Sequence, residues 1–150
     1  MFSIRSARLS DDQPIQKLIR QSHNNPTGLD WRRFLVAVDQ KDQVIGCGQI
    51  KPHQDGSKEL ASIAVVAEWR HQRVASAIIQ QLLRSEAGEL FLVCRSSLGS
   101  FYEQFGFHAI EQDRMPPYFK RINRLARWVK RLEKKGEGFL VMRKVSGIQE

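Results

Sequence analysis

Apolar residues recur along this chain at two spacings, and the switches between those spacings mark out its elements. Residues 2–9 read as a first extended strand. Ser10 and Gln13 then form a capping-box pair, in which each side chain can satisfy the other residue's free amide. A helix is expected to start there, with Ile15, Leu18 and Ile19 on one face and Pro14 in the first turn, where its missing N–H costs little. The polar run from His23 through Gly28 ends it.

Two short apolar runs, 34–38 and 44–50, flank the polar turn 39–43 and predict a hairpin. A second turn at 54–57 leads into 59–66, a run polar at its start and almost wholly apolar afterwards, which reads as a central strand antiparallel to its predecessor. Residues 74–84 place Val74, Ala75, Ile78, Ile79, Leu82 and Leu83 at helical spacing, and Gly88 closes that helix before a strand at 90–95. A short helix at 99–105 stops at Gly106, and extended runs at 107–112 and 138–144 follow. Between them, Phe119, Ile122, Leu125, Ala126, Val129 and Leu132 recur every three or four residues, with basic residues over much of the remaining surface.

A chain of 150 residues, 41% hydrophobic and 27% charged, without repeat or low-complexity linker, is expected to form one domain over 1–150. Its first residues lack the apolar stretch of a signal peptide and its apolar runs are too short to cross a bilayer, so a soluble, cytoplasmic protein is expected. Cys47 and Cys94 stand far apart, with no CxxC pair and no zinc-like His spacing, and read as reduced thiols within strands; no metal is assigned. His23, His53, His71 and His108 are scattered, with no nucleophilic pairing to a Cys or Asp nearby. The segment 114–135 holds nine Lys or Arg against one Glu, which accounts for the whole net charge of +8.

The stretch Trp69-Arg70-His71-Gln72-Arg73-Val74-Ala75-Ser76 joins the central strand directly to a helix. First-turn amides of a helix have no internal partner and, with arginines beside them, attract phosphate. On these residues alone a pyrophosphate site and an ordinary strand-to-helix loop are equally good readings.

Residues 59–79, ELASIAVVAEWRHQRVASAII, resemble motif A of the GNAT acyltransferases, and 101–107, FYEQFGF, resemble their motif B. The resemblance runs from the first strand to about Gln112 and resumes at 138–144, leaving a basic helical insertion at about 114–136. It implies an α+β (α/β) GNAT fold: a mixed, mostly antiparallel seven-stranded sheet, splayed after the fourth strand, with helices on both faces. It also implies transfer of an acetyl group from acetyl-CoA, as co-substrate, directly to a primary amine. In the phosphate-loop pattern Arg70, Arg73 and Ala75 are the matching positions, so Arg73 stands where the first glycine is expected.

The resemblance further assigns the phosphates to the loop and first turn, Arg70, His71, Gln72, Arg73, Val74, Ala75 and Ser76. It gives the pantetheine arm to the backbone of Ile63, Ala64 and Val65, the thiolate-protonating acid to Tyr102, and a general base to Glu59, eleven residues before Arg70. Arg95 replaces an asparagine common in the family. The rival reading is a module on the same scaffold that senses acyl-CoA, or binds nucleic acid or an anionic surface, without catalysis. Its acidic partner would dock on the basic segment from Lys120 to Lys135.

Overall fold

The computed structural model of the chain describes residues 1–22, 24–132 and 138–145. His23 and residues 133–137, with Lys134 and Lys135 of the basic segment, lie outside the described residues, as do the side chains of 127–132. Seven strands form one sheet in the order β1-β2-β3-β4-β5-β7-β6: β1 (Ser3–Ser6), β2 (Phe34–Val38), β3 (Val44–Pro52), β4 (Lys58–Val65), β5 (Glu89–Arg95), β6 (His108–Ala109) and β7 (Phe139–Val145). The β1/β2, β2/β3, β5/β7 and β6/β7 pairs are antiparallel, and β4/β5 is parallel, with Glu59 opposite Phe91. The helices are α1 (Asp12–Gln21), α2 (Val74–Arg84), α3 (Gly99–Glu103) and α4 (Pro117–Leu132). Among the described residues, no helix is long and apolar enough to cross a membrane.

The chain divides into two compact units, residues 1–51 with 60–86, and residues 52–59 with 87–150. In the first, strand alternation sends successive side chains to opposite faces. Phe34, Val36, Val38 and Cys47 pack with Ile15, Leu18 and Ile19 of α1. On the opposite face, Gly46 and Gly48 leave room for α2. A methyl group on Gly48 would lie 2.6 Å from Ile63 Cδ1 and 2.9 Å from Ile78 Cγ2, so a side chain there would push the helix off the strand.

In the second unit, Phe91 of β5 and Val141 of β7 pack with Met115 and Phe119, the latter from α4, and the Phe91 and Phe119 rings lie 5.1 Å apart. Burial of two phenylalanines contributes on the order of 2 kcal/mol each. This apolar face holds α4 against the sheet.

Two local expectations are corrected. The first helix does not begin with a Ser10/Gln13 box. The chain enters through a short 3-10 turn at Leu9–Asp11, the Arg8 amide donates to Asp11 Oδ2 at 2.7 Å, and α1 starts at Asp12. Arg5 also donates to both Asp11 oxygens, at 2.7 and 3.2 Å, and a charge-assisted acceptor outcompetes a neutral glutamine amide. The strand expected over 107–112 shrinks to His108–Ala109, because Ile110 turns in against the α4 cluster and a 3-10 turn at Gln112–Arg114 leads to the prolines that open α4.

Candidate active site

β4 runs through a 3-10 turn at Ala67–Trp69 into the loop before α2. Arg70, His71, Gln72 and Arg73 are all exposed. His71 and Arg73 both adopt left-handed backbone, with φ 65°. A residue with a Cβ pays roughly 1–2 kcal/mol for that conformation, so this is a turn that glycine would relieve. Arg73 is the N-cap of α2 and offers no side-chain cap to the first-turn amides of an eleven-residue helix. Those amides, with two guanidiniums at the same turn, form an electropositive cradle suited to a pyrophosphate.

Within β4, Ser62 also takes positive φ, 61°. Such a residue interrupts regular pairing and turns backbone groups away from the neighbouring strand. The Ser62 carbonyl accepts from Cys47 Sγ, and the Ile63 carbonyl accepts from Asn24 Nδ2 at 3.3 Å. Gln49, fully buried, donates to Ser62 Oγ at 2.9 Å and to the Gly28 carbonyl at 3.2 Å, while Arg33 Nε donates to its oxygen. This polar web fixes the irregular strand just before Ile63, Ala64 and Val65. The sequence suggested no role for Gln49; its sole signal is a polar residue at an inward-facing position of an apolar strand.

Tyr102 sits in α3, its ring edge-on to Phe101 at 5.0 Å and to Phe107 at 6.4 Å. Burial, reinforced by the Cys94 thiol, pushes its phenol up to about 12. The hydroxyl therefore keeps its proton throughout the neutral range.

Glu59, at the start of β4, accepts or shares a proton with His53 Nε2 at 2.8 Å, and both side chains are nearly covered, at 12% and 10% exposure. Tyr118 of α4 stacks on the imidazole with ring centroids 3.6 Å apart, and Phe119 meets it edge-on at 5.6 Å. Asp55 Oδ2 accepts from the Tyr118 amide at 3.0 Å, which ties the first turn of α4 to the β3–β4 turn. Burial alone would raise the Asp55 carboxyl, but Ser57, the Tyr118 amide and the nearby His53 together hold it below the usual value. Burial and the Glu59 charge push the Tyr118 phenol up.

Ile63 to Val65 and the Arg70 to Ser76 stretch thus lie in the first unit, and Glu59 and Tyr102 in the second. Glu59 stands opposite Phe91, on the face of β5 that packs with α4, and Tyr102 lies near enough to Cys94 of the same strand to feel its charge. Sequence spacing isolated Glu59 and left His53 among the scattered histidines. The hairpin turn is what brings them together, six residues apart in the chain.

Residues 30–109 match the family model described as "Acetyltransferase (GNAT) domain". An uncharacterized N-acetyltransferase of Chlorobaculum tepidum is 27% identical over 127 residues, covering 75% of this chain and 79% of the relative. Among solved structures, Rv2747 of Mycobacterium tuberculosis, in complex with CoA and NLQ, is similar with TM-score 0.73 at 22% identity, over 97% of this chain and 99% of that one. N-acetylglutamate synthase of Neisseria gonorrhoeae, complexed with coenzyme A and N-acetyl-glutamate, is similar with TM-score 0.69 at 18% identity over 97% of this chain. The present chain spans about a third of that synthase, 36% of its length.

Proposed function

Because the chain belongs to the GNAT acetyltransferase family, whose co-substrate is acetyl-CoA, we propose that it transfers an acetyl group from acetyl-CoA directly to a primary amine. The observation that carries this reading is the uncapped start of α2 behind the exposed Arg70–Arg73 turn, which fits the pyrophosphate of CoA without a metal. The thioester supplies an acetyl group on a good leaving group. Backbone groups of Ile63, Ala64 and Val65, beyond the irregular Ser62, are the places offered to the pantetheine arm. Among the described residues, no three His, Cys, Asp or Glu side chains group as metal ligands.

An ammonium acceptor must lose a proton before its lone pair can attack, and the departing thiolate must gain one. Glu59 takes the first role, directly or through a water. Tyr102 takes the second: burial keeps its phenol protonated throughout the neutral range, so it has a proton to give the sulfur as the C–S bond breaks. The free amine adds to the thioester carbonyl, and the C–S bond breaks as that tetrahedral adduct collapses. Of the two protons the ammonium loses, the first goes to the Glu59 carboxylate before attack and on to solvent, and the second leaves the adduct nitrogen for solvent or for the phenolate left when Tyr102 has protonated the sulfur.

The test is CoA thiol release with acetyl-CoA and a panel of acceptors: glutamate, a lysine peptide, a peptide with a free N-terminal alanine, and spermidine. At least one acceptor is expected to support turnover. Tyr102→Phe should lower kcat by about a hundredfold with little change in acetyl-CoA binding. Glu59→Gln should flatten the fall of kcat/KM toward acid pH, since only the ionised carboxylate accepts a proton. Full turnover by Tyr102→Phe, or an unchanged pH profile in Glu59→Gln, would remove the corresponding role.

A further inference from the structure

The proposed base does not stand alone: its hydrogen-bond partner is a histidine that a second aromatic ring holds in place. We infer that His53 is a positioning residue for Glu59, donating Nε2–H to the carboxylate and so keeping it ionised and oriented for the amine. This rests on Glu59 being the base, and its test separates the two claims.

Two observations and one physical argument carry it. The Nε2–Oε1 distance of 2.8 Å is that of a charge-assisted bond, and both side chains are almost withdrawn from water. Burial penalises the charge of a carboxylate, so one withdrawn from water holds its proton to higher pH unless a hydrogen-bond donor offsets that penalty. Finally, the imidazole cannot swing away. Tyr118 covers one face at 3.6 Å, Phe119 closes an edge, and Tyr118 is itself fixed through its amide by Asp55. Among the described residues, the charged or titratable groups recorded around the imidazole are Glu59 from β4, Asp55 from the turn and Tyr118 from α4, with Arg121 acting on Tyr118. None of these positions is marked by the motif that singles out Glu59; the pair arises from the β3–β4 turn and from where α4 begins.

The decisive experiment compares His53→Gln, His53→Asn and His53→Phe with wild type, using acetyl-CoA and the fastest acceptor of the panel. Glutamine can place an amide N–H where Nε2 lies, asparagine is too short, and phenylalanine keeps the stack with Tyr118 but has no donor. The acid-side fall of kcat/KM should move upward by about one pH unit in the Asn and Phe variants and return to the wild-type position in the Gln variant. Acetyl-CoA binding, read by calorimetry, should be the same in all four proteins and reports that each is folded. Wild type should also show a slowly exchanging, downfield imidazole N–H proton that Glu59→Gln removes. If the acid limb stays put in both donor-less variants, or if that proton is absent from wild type, His53 does not position the base. If instead Glu59→Gln leaves the profile unchanged while the downfield proton is present, the pair exists and the base assignment is what fails.

Discussion

At the scale of single residues, Arg73 shows how one position can serve two opposed demands. Its backbone is left-handed, which strains any side chain, yet its guanidinium is exposed at the mouth of an uncapped helix. Glycine would satisfy the first demand and abolish the second. Arg73→Gly is therefore expected to raise stability by up to about 1 kcal/mol, the entropy of the freer unfolded glycine offsetting part of the relieved strain. It should also weaken acetyl-CoA by about tenfold or more, the worth of a charge-assisted phosphate contact. Denaturant midpoints and calorimetric titrations of the two proteins check the opposite signs. The identity of Arg73 and its departure from the glycine pattern were legible in the sequence. Its torsion was not, because a left-handed turn without glycine leaves no compositional trace.

At the scale of elements, most of what the sequence predicts survives. The span of α2 is found unchanged, since four of its apolar residues, Val74, Ile78, Ile79 and Leu82, are buried at helical spacing. The hairpin of β2 and β3 closes through Asp39, whose amide donates to the Gln43 carbonyl at 3.0 Å. The misses fall where local preference competes with a charged or tertiary partner: Asp11 clamped by Arg5 instead of a Ser10/Gln13 box, and Ile110 drawn inward where alternation predicted a longer strand. The start of α4 belongs to the same class. Pro117 occupies its first position, and the cap for the next amide comes from Asp55, far away in sequence. Asp55→Ala should cost about 1 kcal/mol, seen in denaturant unfolding. It should also loosen the Tyr118 stack on His53, so the acid-side fall of kcat/KM should shift in the direction expected for His53→Asn.

For the whole molecule, the buried Cys47 thiol and the motif tyrosine tie stability to alkaline pH. Burial raises the Cys47 thiol from 9.0 to about 12, and burial with the nearby Cys94 raises the Tyr102 phenol from 10.0 to about 12. Both groups hold protons in the folded chain that the unfolded chain releases. Their contribution is complete below about pH 9 and is lost as pH rises from there through 12. Unfolding free energy measured against pH should fall across that window, less steeply in Cys47→Ala and Tyr102→Phe. The concentration of the net charge in one segment is equally a property of the entire sequence, and it was legible there at once. What the basic segment meets was not, because charge alone names no partner.

Every role assigned here depends on CoA entering the turn between β4 and α2, so the most direct measurement is a calorimetric titration of the purified protein with acetyl-CoA at two salt concentrations. Saturable binding at one site is expected, weakened in Arg73→Gly and moderately weakened by salt in wild type. No heat of binding at millimolar acetyl-CoA, with binding appearing in Arg73→Gly, would contradict it: the left-handed arginine would then close the cradle instead of completing it.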